Sequence, residues 1–185
     1  MRLFTCFLIM IGMLTSSAVM AQDVSLSTNF VDYANNGTLN LSASYGFARH
    51  WTANASVKYN PFEFGGGDQP VRRFKQRSAS LGLRYWPWNV YSGWWVSSDF
   101  RCQEYNMVEA KSQQSYQGDR TGASMGGGYS LMLGKHVNLD MGIGMWAGYD
   151  RYSVYECPNC GRKTADGAKS FLALSDILLS ISFIF

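Results

Sequence analysis

An alternation of period two, returning in eight short runs, constrains this chain more than any other feature. Leu39, Leu41, Ala43 and Tyr45 alternate with Asn40, Ser42 and Ser44, and Trp51, Ala53, Ala55, Val57 and Tyr59 alternate with Thr52, Asn54, Ser56, Lys58 and Asn60. Successive side chains of a strand point to opposite faces, so each run reads as a strand with one apolar face and one small or polar face. The pattern recurs in Leu81, Leu83 and Tyr85 against Ser80, Gly82 and Arg84, and in Trp94, Val96, Ser98 and Phe100 against Trp95, Ser97, Asp99 and Arg101. Two further runs span 123–131 and 137–145. A weaker first run carries Leu26, Thr28 and Phe30, and the last carries Ile177, Leu179, Ile181, Phe183 and Phe185.

Connector length then alternates. Short links at His50, Pro87 and Lys135 are interleaved with long segments at 61–77, 103–120 and 151–171, the link at 32–37 being the short exception. The aromatic residues, 15% of the chain, sort into two bands: Tyr45, Trp51, Tyr85, Trp94 and Phe183 at one end, Phe30, Tyr59, Phe100 and Tyr149 at the other. A soluble β-sandwich predicts no such bands, whereas interface girdles do. No stretch beyond the N-terminus approaches the roughly 20 apolar residues of a membrane helix. The expected fold is therefore all-β, an eight-stranded antiparallel up-and-down transmembrane β-barrel, with short turns in the periplasm and long loops outside.

The N-terminus supplies the address. Residues 1–21 open with Arg2, run through an apolar segment and end on Val19-Met20-Ala21, which predicts a cleaved signal peptide and a mature barrel of 22–185 in the cell outer membrane. A lipobox at Cys6 competes, but that Cys precedes most of the apolar run. The formal net charge of +3 is too small to argue for nucleic acid.

The chain resembles the small OmpA/OmpX-like barrels, and its terminal Ser182-Phe183-Ile184-Phe185 resembles the aromatic-ended signal read by the barrel-assembly machinery. More narrowly, Arg49-His50-Trp51 through Tyr59-Asn60-Pro61-Phe62, then Arg84-Tyr85-Trp86, then Tyr155 to Gly161 with its C-x-x-C, resemble an outer-membrane family of unknown function, some of whose members are encoded near fimbrial genes. The resemblance implies barrel fold and outer-membrane localisation, and it adds an association with surface appendages without any assigned activity.

Three groups of residues carry candidate chemistry. Cys157 and Cys160 form either a loop-closing disulfide, favoured by the oxidising export route, or half of a metal site that Cys102 alone could join. Lys58, Arg84, Asp99, Arg101, Asp140 and Asp176 all project inward by parity and are expected to pair in two salt-bridge layers that plug the pore. Arg72, Arg73, Lys75 and Arg77 form a basic run in the second loop, suited either to the phosphates of lipopolysaccharide or simply to solvent. Neither His50 nor His136 lies near the long loops, so no Ser-His-Asp arrangement can be assembled.

The expectation is a non-enzymatic outer-membrane protein without cofactor, whose long outer loops bind a surface partner or lipopolysaccharide. A small pore or transporter is the first alternative, and a barrel enzyme of the acyltransferase or protease kind the second.

Overall fold

The computed structural model describes residues 24–66, 69–108, 114–157 and 162–185, so the expected signal peptide of 1–21, with Cys6, lies outside the described residues. Nine strands and one short helix follow in the order β1 (Val24–Asn29), α1 (Phe30–Ala34), β2 (Leu39–Ala48), β3 (Trp51–Asn60), β4 (Glu63–Gly66), β5 (Gln69–Tyr85), β6 (Gly93–Val108), β7 (Ser115–Met132), β8 (Val137–Tyr155) and β9 (Lys163–Ile184). Each pairs antiparallel with its neighbours, β1 with β9 and β3 with β5, which closes an eight-stranded up-and-down barrel with β4 as a short extra hairpin arm on β5. Among the described residues no helix is long and apolar enough to cross a membrane.

The eight alternating runs all lie on barrel strands, but the three long loops are largely not loops. The expected loops at 61–77, 103–120 and 151–171 are mostly paired backbone: β5 and β6 stay paired to Arg73↔Val108, β6 and β7 to Val108↔Ser115, and β8 and β9, through two register shifts, to Tyr155↔Lys163. Their pairing is silent in hydropathy because both faces turn polar there. At about 3.3 Å per residue, the 22 residues of β9 are about 70 Å long. A second difference is at Phe30, expected on the first strand. Asn29 instead caps α1, its side chain accepting from the Val31 N–H, and the helix turns the chain inward.

Register fixes the tilt. The paired row that leaves Ser27 for Ser42 passes through Ser56, Ser80, Arg101, Gly122 and Gly148 to Phe171, yet Ser27 itself pairs with Ser182, eleven residues further along β9. One of those residues is absorbed by the bulge between Asp176 and Leu174. Such a stagger inclines the strands at roughly 35–45° to the barrel axis and leaves an interior only wide enough for side chains.

Glycine and aromatic residues share that interior. A Cβ on Gly128 or Gly142 would collide with the Trp95 indole, on Gly118 with the Tyr105 ring, and on Gly167 with the Tyr152 hydroxyl. Rings thus reach over bare backbone one or two strands away. Gly128→Ala, pressed between Trp95 and the Met141 carbonyl, is expected to cost about 1–3 kcal/mol in urea unfolding of the refolded protein in micelles. Gly134→Ala, with no atom within 4 Å of the new Cβ, should stay within about 0.5 kcal/mol.

Candidate functional site

The interior is built in layers, beginning at the end of the short turns. The 86–92 turn folds into the barrel mouth, where Trp86, Tyr91, Trp95 and Ile184 form a buried cluster with Val90 and Leu178 packed against it. Tyr91 holds a left-handed φ of 63°, and its carbonyl accepts from the Asn138 amide at 2.6 Å. Trp86 is 1% exposed and its indole N–H donates to Thr52 at 3.2 Å. His50 and His136 each set Nδ1 against a backbone carbonyl, of Trp86 and Ile184 respectively, so both rings serve the turns. Sequence reasoning saw only a brief connection here, because a plug made of turn residues has no period.

The next layer holds Arg84, Asp99 and Asp140, and it is not an ion-pair layer. The Arg84 guanidinium lies over the Trp95 ring at 4.0 Å and near the Trp86 ring at 5.5 Å. Asp140 accepts from the Ser182 hydroxyl and Asp99 from the Ser124 hydroxyl. The expectation of a second salt-bridge layer is corrected accordingly: indole faces, which attract a cation through their quadrupole, occupy the place of the carboxylates. Above lies a cavity of about 100 Å³ bordered by Asn54, Ser56, Ser97, Asp99 and Ser124, large enough for a few water molecules.

Lys58, Arg101 and Asp176 do come together. Lys58 Nζ sits 2.5 Å from Asp176 and 2.8 Å from Asp32, while Arg101 closes on the other Asp176 oxygen. Asp32 reaches in from α1, so the turn at 30–38 is tied to the lumen, a role its sequence position did not suggest. Two carboxylates and two cations balance the layer in charge.

A further layer, missed because Tyr105 and Arg120 fell in an expected loop, lies between the extended strands. Asp150, 0% exposed, accepts from Tyr105 Oη at 2.8 Å and from Arg120 Nε at 3.1 Å, with Arg120 over the Tyr105 ring at 4.3 Å. Burial first, and then the hydrogen bond to Asp150, push the Tyr105 hydroxyl up to about 12. Trp146 and Phe171 meet edge to face at 4.7 Å beside it.

The basic run lies on a strand, not in a loop. Arg73, Lys75 and Arg77 share the outward face of β5, and Arg72 points the other way, paired across to Phe64 on β4. Glu63 binds Arg73 at 3.0 Å and Lys75 at 2.8 Å, and Arg77 lies over the Tyr59 ring at 5.6 Å. Cys157 is disulfide-bonded, and Cys160 lies outside the described residues. Cys102, expected to be able to join them, instead faces outward in mid-strand between Ala79 and Thr121. Thr121 pairs with Tyr149, and Cys157 lies beyond Tyr155, the end of β8, itself six residues or about 20 Å further along the strand, so Cys102 and Cys157 do not share a site.

The Arg73 and Lys75 hydrogen bonds hold the Glu63 carboxyl at about 2, well below its ordinary 4.5. A depressed carboxylate stabilises the fold above its unfolded value and stops doing so as pH falls through its folded value. The β4–β5 arm should therefore stay paired from neutral pH to below 4 and loosen near pH 2. A carboxyl-carbon NMR titration of Glu63 checks this, and a midpoint near 4.5 would contradict it.

No curated protein and no solved structure matches the chain. Residues 4–185 match the family described as protein of unknown function (DUF3575), so the chain belongs to that family.

Proposed function

We propose that the chain is a non-enzymatic barrel of the outer membrane, inserted by the barrel-assembly machinery after its signal peptide is removed, whose outer β-ribbons bind a partner at the cell surface. The observation that carries this reading is the change of the outward face along each strand. On β8 it is apolar or aromatic from Leu139 through Met141, Ile143, Met145 and Ala147 to Tyr149, a length that suits the roughly 9–11 residues a tilted strand needs to cross hydrocarbon. The next outward row pairs Arg77, Glu104, Asp119 and Arg151 across four strands. Charges in one hydrogen-bonded row mark a membrane boundary, beyond which β5 to β9 continue as paired sheet into water.

A side-chain-filled interior argues against conduction. The aromatic plug, the Arg84 layer and the Lys58–Asp176–Arg101 layer stand in series along the axis. Binding through the ribbons is left as the activity. Around the barrel, Arg77 is the member of the basic run suited to phosphates of lipopolysaccharide at the outer leaflet, Arg73 and Lys75 both being engaged by Glu63.

The test replaces 104–119 and 152–167 by tight turns. The trimmed barrel should still insert and show heat-modifiable gel mobility, while the set of proteins crosslinked to it on intact cells disappears. An unchanged set would contradict the reading. So would fractionation of the full chain with soluble periplasmic proteins, or a stable sizeable conductance in single-channel recording.

A further inference from the structure

β9 is much longer than the strand that closes the barrel beside it. β1 pairs with β9 only from Ser25↔Ile184 up to Asn29↔Ser180, whereas β8 pairs with β9 as far as Tyr155↔Lys163. Just above the end of β1, the Asn29 side chain takes the place of a strand. Its amide donates to the Ile177 carbonyl at 3.1 Å, and its oxygen accepts from the Leu179 N–H at 3.0 Å.

That cap reveals the sidedness of the edge. Ile177 and Leu179 face outward, and their backbone groups aim away from β8, as does the Phe185 N–H that donates to Val24. Face and lateral direction are locked together along a strand of one sense. Beyond the bulge the outward residues are Leu174, Leu172, Ser170, Ala168 and Asp166, opposite Met145 through Ser153 of β8. Their N–H and C=O groups therefore aim at the side where, among the described residues, no strand stands. Residues 162–170 are all exposed, and Leu172 and Leu174 are exposed as well.

A row of backbone donors and acceptors at strand spacing is complementary to one chemistry, an extended polypeptide backbone. We infer that the outer edge of β9, from Lys163 to Ser170, accepts an extended segment of another protein as an added antiparallel strand. This rests on the reading of the outer ribbons as the binding surface and names the edge and the mode within it. A second copy of this chain is the wrong occupant. Copies inserted in one membrane share the sense of β9, so their β9 edges cannot run antiparallel to each other. Antiparallel pairing also asks for an occupant whose outward residues are polar beside Ser170 and Asp166, because Leu172 and Leu174 lie level with the apolar band of β8.

Amide hydrogen exchange of the full barrel in lipid nanodiscs tests the inference, with a synthetic peptide copying residues 148–155 as the probe. That sequence already pairs with 163–171 from the β8 side. Without peptide, the amides of Asp166, Ala168 and Ser170 should exchange fast while those of Ala165, Gly167 and Lys169 exchange slowly. With peptide, the fast set should slow about tenfold or more, the scale of a net backbone hydrogen bond. Ala168→Pro, and separately Ser170→Pro, remove an N–H that the β8 ladder does not use. Both should fold and abolish the slowing. The inference is overturned if the outward amides are already protected without peptide, including protection that grows with protein concentration through a second copy. It is equally overturned if the peptide gives no slowing, or gives slowing that both proline variants retain. Loss of the surface crosslinks on ribbon trimming is read separately, so the edge can fail while the ribbons stand.

Discussion

Closing eight strands into a ring is the constraint on which the rest of the structure depends. Closure satisfies the ladders where all eight strands meet, leaving an edge only where β9 outruns β1, and at this strand number it leaves little room for anything except side chains. The interior is consequently a packing problem with polar parts. Glycine and aromatic residues solve it together, the Trp95 indole reaching over Gly128 and Gly142 and the Tyr105 ring over Gly118. Of the 19 glycines of the sequence, Gly118, Gly128, Gly142 and Gly167 become intelligible as clearance for rings.

The charges inside follow the same economy of space. Burying a charge is costly unless it is paired or held against a polarisable face. Lys58, Arg101 and Asp176 meet that demand by ion pairing, with Asp32 contributed by the inward-turning α1. Arg84 meets it by stacking on Trp95. Two solutions at two depths give a lumen whose layers differ in chemistry while sharing one purpose, to fill the bore. The outward face, relieved of packing, is free to record the surroundings instead, apolar or aromatic from Leu139 to Tyr149, then charged at Arg151 and polar at Ser153.

What was legible in the sequence was whatever carried hydropathic contrast. The strands at 39–45, 51–60 and 137–145 were readable because each has one apolar and one polar face, and parity alone turned Lys58, Arg84, Asp99, Arg101, Asp140 and Asp176 inward. The ribbons were not readable. Around Gln117, Asp119, Arg151 and Ser153 the outward face is polar as well, so pairing leaves no trace in residue type, and charge was taken for loop. For the same reason the Tyr105–Asp150–Arg120 layer and the strand position of Arg73, Lys75 and Arg77 emerge only from register. The turn at 86–92 fails for another cause, since its plug depends on a left-handed Tyr91 that no alternation predicts.

The central claim is that paired sheet continues beyond the apolar band as a stiff extension of a filled barrel. NMR of the refolded protein in lipid nanodiscs, with a lipid-borne paramagnetic label, tests it most directly. The account predicts cross-strand contacts between β7 and β8 out to Tyr116↔Val154, with strong relaxation at Ile143 and Met145 and little at Arg151 and Ser153. Cross-strand contacts that stop near Thr121, with rapid local motion from there outward, would contradict it.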